Sequence, residues 1–382
     1  MNKERLFYKP KSLETGDKIG LVNPVGEMNQ KYAETSVPKV ISFLKRSGYR
    51  VPEQRINYRK LIQGVQDPDV LADYYDPYAT REEEIRLNPL TMERRSFLTF
   101  GGSPPQERAR LFNQAVATCN AIFPLVGNRF GLDIAPYVDY DEFRKRRPIF
   151  ITFSAASAFL LYLHLKTDTE VFYGPHIHFL VDREEEYTRR AFWDFLRQEE
   201  PQFVLRNIYS VSDGAPIGEE RIPFFGYKVN QSGTCVSGGL MPIFLFSLER
   251  VIKQEVISFD PEGKILMMEA DERSYEDCFA AIELIHRQID LSNLSALVLA
   301  SFVAFKPESS SLRNKLLNPD KAREFTLKVR ALLKDNVPVV YGFPMGHSKY
   351  KLTIPMGIQA ELNIETGDII LRESPFSNIY MK

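Results

Sequence analysis

The chain of 382 residues carries 49 Lys plus Arg against 50 Asp plus Glu, a formal charge of −1, so no net field draws it to nucleic acid or to an anionic membrane surface. With 44% hydrophobic and 26% charged residues it has the composition of folded globular domains, which excludes a disordered or fibrous chain, and the length fits about two domains. Cys119, Cys235 and Cys278 lie far apart with no C-x-x-C spacing, which argues against a disulfide framework or a zinc–thiolate site.

In chain order, residues 18–22 form a short apolar strand that stops at Asn23-Pro24. Val37, Val40, Ile41 and Leu44 then repeat at helical spacing up to Gly48. Residues 57–98, rich in Tyr, Arg, Asp and Glu, have no clear place in a sheet and read as an insertion. A helix over 108–117, with Leu111, Phe112 and Ala115 on its apolar face, precedes a buried strand over 121–125. Another buried strand covers 148–153, and 155–163 reads as a helix of small and apolar residues. This alternation predicts βα units around a mainly parallel sheet. Residues 182–200 read as a charged surface helix, and 201–223 holds Asp213-Gly214 and other turn signals, which suits a boundary.

Sheet and helix signals resume at 264–268, 275–288, 296–302, 322–333 and 338–341. The chain then forms a hairpin, with 358–362 and 368–372 flanking Thr366-Gly367. There is no internal repeat. No run of about 18 apolar residues occurs, and no apolar segment follows the basic start, so a cytoplasmic location without membrane insertion is expected.

Three residues end up at comparable places in this scheme. Ser154 sits at the turn from strand to helix, where a hydroxyl is exposed at the sheet's carboxyl edge beside the backbone N–H groups that open the helix. Taken alone, it reads as an N-cap serine. Glu269 follows the strand at 264–268, and His347 follows the strand at 338–341 through a tight Gly342-Phe-Pro-Met-Gly346 loop. Together they supply a hydroxyl, a base to take its proton and a carboxylate to orient that base, which is what nucleophilic catalysis requires. His176 and His178 would share one face of a strand, but no carboxylate or cysteine spacing accompanies them, so no metal is expected. Residues 20–26 lack the G-x-G-x-x-G pattern of a dinucleotide loop.

Several motifs now carry a resemblance in their order: Gly16-Asp-Lys-Ile-Gly-Leu21, residues 121–141 ending Pro-Tyr-Val-Asp-Tyr-Asp, Phe153-Ser154, Phe172-Tyr-Gly-Pro175, Gly263-Lys-Ile-Leu-Met-Met-Glu269 and Gly342-Phe-Pro-Met-Gly-His347. The sequence resembles the serine peptidase family of the LD-carboxypeptidases and microcin C self-immunity proteins over about residues 10–362, apart from the insertion. The resemblance implies an α/β fold of two domains: an N-terminal parallel-sheet domain (1–182) carrying the nucleophile turn, a linker region (183–223) and a C-terminal mixed α/β domain (224–382) supplying acid and base.

It implies Ser154 as nucleophile, His347 as general base and then acid, and Glu269 as the residue that orients the imidazole. It also implies no metal or cofactor, a homodimer, and a small peptide or peptidyl-nucleotide substrate. The N–H groups of Gly127 and Ala155 are the expected oxyanion hole. Arg273, four positions beyond Glu269, is a candidate for the substrate carboxylate, with Asn128 and Arg129 as further substrate-binding candidates. Three positions depart from the family pattern: Asn128 replaces a second Gly, Ala155 replaces an Asp, and Gly239 in Ser237-Gly-Gly-Leu240 replaces an Asn. These departures motivate a rival expectation, a relative that binds peptide or muropeptide without turnover.

Overall fold

The computed structural model describes residues 7–25, 30–52, 105–127, 130–182, 186–198, 204–209, 224–229, 233–271, 273–300, 302, 318–333 and 337–377. The insertion expected at 57–98, and the candidates Asn128 and Arg129, lie outside them.

Strands β1 (Ile19–Gly20), β2 (Ala121–Ile122), β3 (Ile149–Thr152) and β4 (Phe172–Tyr173) run parallel in one sheet. All four residues of β3 are buried, as expected for a parallel strand covered on both faces. Between and beyond these strands run α1 (Gln30–Arg46), α2 (Pro105–Thr118), α3 (Tyr140–Arg146), α4 (Ser157–Thr167), α5 (Ile177–Asp182) and α6 (Glu186–Arg197). One face of the sheet packs on Val37, Val40 and Leu44 of α1, Ile177 and Leu180 of α5, and Phe192, Trp193 and Leu196 of α6. Phe112, Phe143, Phe159 and Leu160, from α2, α3 and α4, belong to the second core cluster.

The second sheet contains β5 (Val204–Leu205), β6 (Phe225–Tyr227), β7 (Cys235–Phe244), β8 (Lys264–Glu269), β9 (Ala296–Leu299) and β10 (Val339–Tyr341). Then β11 (Ile354–Pro355) returns to the first sheet, antiparallel to β4, before β12 (Gln359–Asn363) and β13 (Ile369–Leu371) complete the second. The second sheet runs β5-β13-β12-β7-β8-β9-β10-β6 and is mixed, with β7, β8, β9 and β10 parallel at its centre. Helices α7 (Leu245–Lys253), α8 (Tyr275–Ile289) and α9 (Pro319–Leu332) accompany it. The core holding Phe159 and Leu160 continues into Leu240, Leu266 and Val298, so apolar packing is unbroken from one sheet to the other.

Two sequence expectations change. The charged helix expected on the surface is α6, whose Phe192, Trp193 and Leu196 sink into the first core while Glu186 and Arg190 stay exposed. Burying side chains of this size stabilises by roughly 1.5–3 kcal/mol each, which outweighs the charged appearance of the segment. The stretch read as a linker therefore holds α6 and β5. Strand β7 was also not anticipated, and it contains Gly238, Gly239 and Pro242. Its β12 partner pairs only with residues 235–239, so beyond them a proline is tolerated on the open side.

Candidate active site

Ser154 leaves β3 and opens a single 3-10 turn (Ser154–Ala156) that runs into α4. Its φ of 62° is left-handed, a conformation costing a non-glycine residue on the order of 1–2 kcal/mol, and neighbouring groups hold it there. Its N–H donates to Tyr173 Oη at 3.3 Å, and Ser247 Oγ on α7 donates to Ala155 O at 2.9 Å and to Ser154 O at 3.4 Å. This turn is thus pinned by Tyr173 of the first sheet and by Ser247 of α7 beside the second. Ala156 N–H donates to Gly127 O at 3.2 Å, which draws the loop after β2 against the same turn. Glycine is required at 127 by close approach: a Cβ there would lie 2.7 Å from His176 Cε1 and 2.8 Å from Ala156 Cβ. His176 is in turn held by a 2.9 Å contact between its Nε2 and Thr152 Oγ1.

Glu269 ends β8, paired in register with Phe244 at the end of β7, and its carboxylate is fully buried. Oε2 accepts from His347 Nδ1 at 2.8 Å and from the His347 backbone N–H at 3.4 Å, while Oε1 accepts the proton of Tyr173 Oη. The loop after β10 delivers His347 through Gly346, whose φ of 66° and approach to Glu269 exclude a side chain: a Cβ there would lie 2.2 Å from the carboxylate carbon. The imidazole packs between Phe153 and Phe244, with ring centroids 5.0 and 5.8 Å away, and its Nε2 lies 3.8 Å from Asp271 Oδ2. Burial opposes charging of this imidazole, but the charge and hydrogen bond of Glu269, helped by Asp271, outweigh it and raise its pKa above the ordinary value. With Nδ1 committed to Glu269, Nε2 is the nitrogen left for proton transfer.

The structure therefore brings Glu269 and His347 into direct contact, and joins Ser154 to Glu269 through Tyr173. Gly127 and Ala155 border the same turn. Arg273 stands just before α8, which Ser274 caps by accepting from Asp277 N–H at 3.0 Å, and its guanidinium carbon lies 5.7 Å from the centre of the Phe246 ring. Gly239 is remote: it pairs with Lys264 at the opposite end of β8 from Glu269, and Phe244 is the β7 residue beside His347. His176 and His178 straddle the start of α5 instead of sharing a strand face, and among the described residues no group of three metal-ligating side chains occurs.

Sequence reasoning missed Tyr173, Ser247, Phe244 and Asp271. Tyr173 lies in the quoted Phe172-Tyr-Gly-Pro175 motif, but a tyrosine in an apolar strand reads as core. Asp271, two residues beyond Glu269, had the signal of a second acid at a strand end.

Comparison with known proteins places the chain in a family. Residues 79–174 match the model of the LD-carboxypeptidase N-terminal domain and residues 233–362 that of the C-terminal domain, together more than half the chain. The first match begins inside the stretch read as an insertion. The chain is 22% identical to a provisionally named carboxypeptidase of Vibrio cholerae, covering 95% of this chain and 97% of that protein. It is 26% identical to the microcin C7 self-immunity protein MccF of Escherichia coli, covering 71% and 80%.

A solved structure of MccF has the same fold, with a TM-score of 0.69 at 17% identity, covering 97% of this chain and all of that one. Further MccF structures hold aspartyl sulfamoyl adenosine or glutamyl sulfamoyl guanosine. A muramoyltetrapeptide carboxypeptidase from Oxalobacter formigenes has a TM-score of 0.62 at 20% identity, covering 93% and 97%. With both family domains matched in order and the two-sheet fold shared along nearly its whole length, the chain belongs to the LD-carboxypeptidase family.

Proposed function

We propose that this protein is a serine-type hydrolase that cleaves an amide bond near a carboxyl terminus, with Ser154 as nucleophile, His347 as general base and then acid, and Glu269 as the orienting carboxylate. The observation that carries the reading is the 2.8 Å hydrogen bond from His347 Nδ1 to buried Glu269, at the edge where the strained Ser154 turn is held. His347 Nε2 takes the hydroxyl proton as Ser154 attacks the scissile carbonyl, and the N–H groups of Gly127 and Ala155 hold the oxyanion. The imidazolium then protonates the leaving amine. Water, deprotonated by the same nitrogen, releases the acyl group from the serine.

The family and the relatives' names support two substrate classes: a cell-wall peptide with an L,D bond, or a peptidyl-nucleotide-like antibiotic of the kind resembled by the ligands of MccF. Turnover of a tetrapeptide muropeptide measured beside an aminoacyl-sulfamoyl nucleotide distinguishes them.

The test of the chemistry is labelling by a fluorophosphonate probe together with amide hydrolysis. Ser154→Ala should abolish labelling and lower the rate by about 10⁴-fold or more, and the double variant Ser154→Ala with His347→Ala should lose little beyond that, since triad members act as a unit. A fully active Ser154→Ala protein would overturn the assignment. A folded wild type that resists the probe would favour a chain that binds peptide without turnover.

A further inference from the structure

We propose that Tyr173 is a positioning residue of this site, a hydrogen-bond bridge that fixes the nucleophile's backbone amide and the triad carboxylate to one oxygen atom. The proposal rests on the Ser154–His347–Glu269 reading. Tyr173 lies on β4 of the first sheet and is completely buried, whereas Glu269 ends β8 of the second. Its phenol has one proton and lone pairs to accept with. Glu269 as a carboxylate accepts only, so the proton goes to Oε1, and the lone pairs receive Ser154 N–H at 3.3 Å. Both directions are thereby fixed.

Burial, followed by the Glu269 charge, holds the phenol well above its ordinary pKa, so it keeps the proton it donates. Three consequences follow. Ser154 N–H is occupied, which leaves the amides of Gly127 and Ala155 for the oxyanion. The left-handed turn at Ser154 is held from outside its own helix. The carboxylate has a donor on Oε1 opposite the imidazole on Oε2, so it cannot rotate, and part of its charge is drawn away from His347.

A tyrosine that only filled the core would also be buried with a satisfied hydroxyl. What separates the two roles is charge. Without the phenol proton, the full carboxylate charge acts on His347 and stabilises its imidazolium further. The other groups that face this imidazole are Asp271 beyond β8, Lys351 farther along its own loop and His176 before α5, and all three are unchanged by the substitution.

The experiment follows the rate of fluorophosphonate labelling against pH in the wild type, Tyr173→Phe and Ser154→Ala. For Tyr173→Phe the acid limb should move up by half a pH unit or more and the plateau rate should fall about tenfold to a hundredfold, as expected when a reacting group is mis-set by a fraction of an ångström. Replacing Tyr173 by 3,5-difluorotyrosine, which keeps the shape and strengthens the donor, should move the limb in the opposite direction. This arm also serves if the Phe variant folds poorly. An unchanged limb and plateau in Tyr173→Phe, with Ser154 still the labelled residue, would overturn this proposal alone. A limb that does not respond to fluorination would do the same. Labelling that persists in Ser154→Ala would overturn the nucleophile assignment, and this proposal with it.

Discussion

His347 is subject to opposed influences, and their order sets its titration. Burial favours the neutral ring, but the Glu269 charge and hydrogen bond prevail, so the folded pKa lies above the ordinary 6.5. A raised folded value means that the pair's contribution to stability is fully present below pH 6.5 and is lost as pH rises through the folded pKa. As the proposed general base the ring must be neutral, so activity should appear over the same interval in which that stability disappears. Glu269→Gln removes the charge and keeps the burial, so the acid limb of kcat/KM should move to lower pH while the plateau falls. A limb that stays in place would show that Glu269 does not govern the base. The role proposed for Arg273 is recognition of the substrate carboxylate, and it separates from chemistry by kinetics. If its guanidinium binds the substrate carboxylate equally in ground and transition states, Arg273→Ala should raise KM with kcat little changed. A charge-assisted contact of roughly 1.5–3 kcal/mol corresponds to about a ten- to 150-fold effect. An amidated substrate, already lacking the contact, should be cleaved equally well by both proteins, and equal losses on acid and amide would remove Arg273 from that role.

At the scale of the element, the carboxyl ends of three strands deliver the side chains, and the loop after β10 has the least freedom. Gly346→Ala would combine a left-handed φ with a Cβ driven into the Glu269 carboxylate. Activity should fall at least about a hundredfold, and the melting temperature should drop by several degrees, in line with a cost of roughly 1–3 kcal/mol. Kinetics and thermal unfolding of one preparation check both, and wild-type activity would show that Glu269 has room to move. Such loops also explain what the sequence made legible. Ser154 and Glu269 each stand at the end of a short apolar run and His347 a tight loop beyond one, so their placement at a sheet edge could be read from composition and turn signals. Tyr173 could not be read in this way, since its function lies in one hydroxyl proton aimed at a residue 96 positions away. Gly239 was singled out as a departure from the family pattern, whereas register puts it inside β7 at the end away from Glu269 and brings Phe244 to the site. The apolar stripe of α6 was obscured by the charges interleaved with it.

The whole molecule is organised around the seam between its sheets. Tyr173 to Glu269, Ser247 to the Ser154 turn, and Phe244 N–H to Ser157 Oγ at 3.1 Å all cross it, and one apolar core continues beneath. Unfolding should therefore be a single transition. Trp193, the sole tryptophan, lies in the core on the outer face of the first sheet, and its fluorescence should change at the same denaturant concentration as the far-ultraviolet circular dichroism of the whole chain. Separate midpoints would mean that the two halves are stabilised independently. The return of β11 to the edge of β4 extends this unity into biosynthesis. A ribosome makes β4 some 180 residues before the partner that covers its edge. Until Ile354 and Pro355 emerge, the nascent first half presents an open strand edge to its neighbours on the polysome, the kind of edge that seeds aggregation. The candidate site is complete only once His347 has followed, so a product released before that residue would be a misfolding hazard that lacks the proposed base.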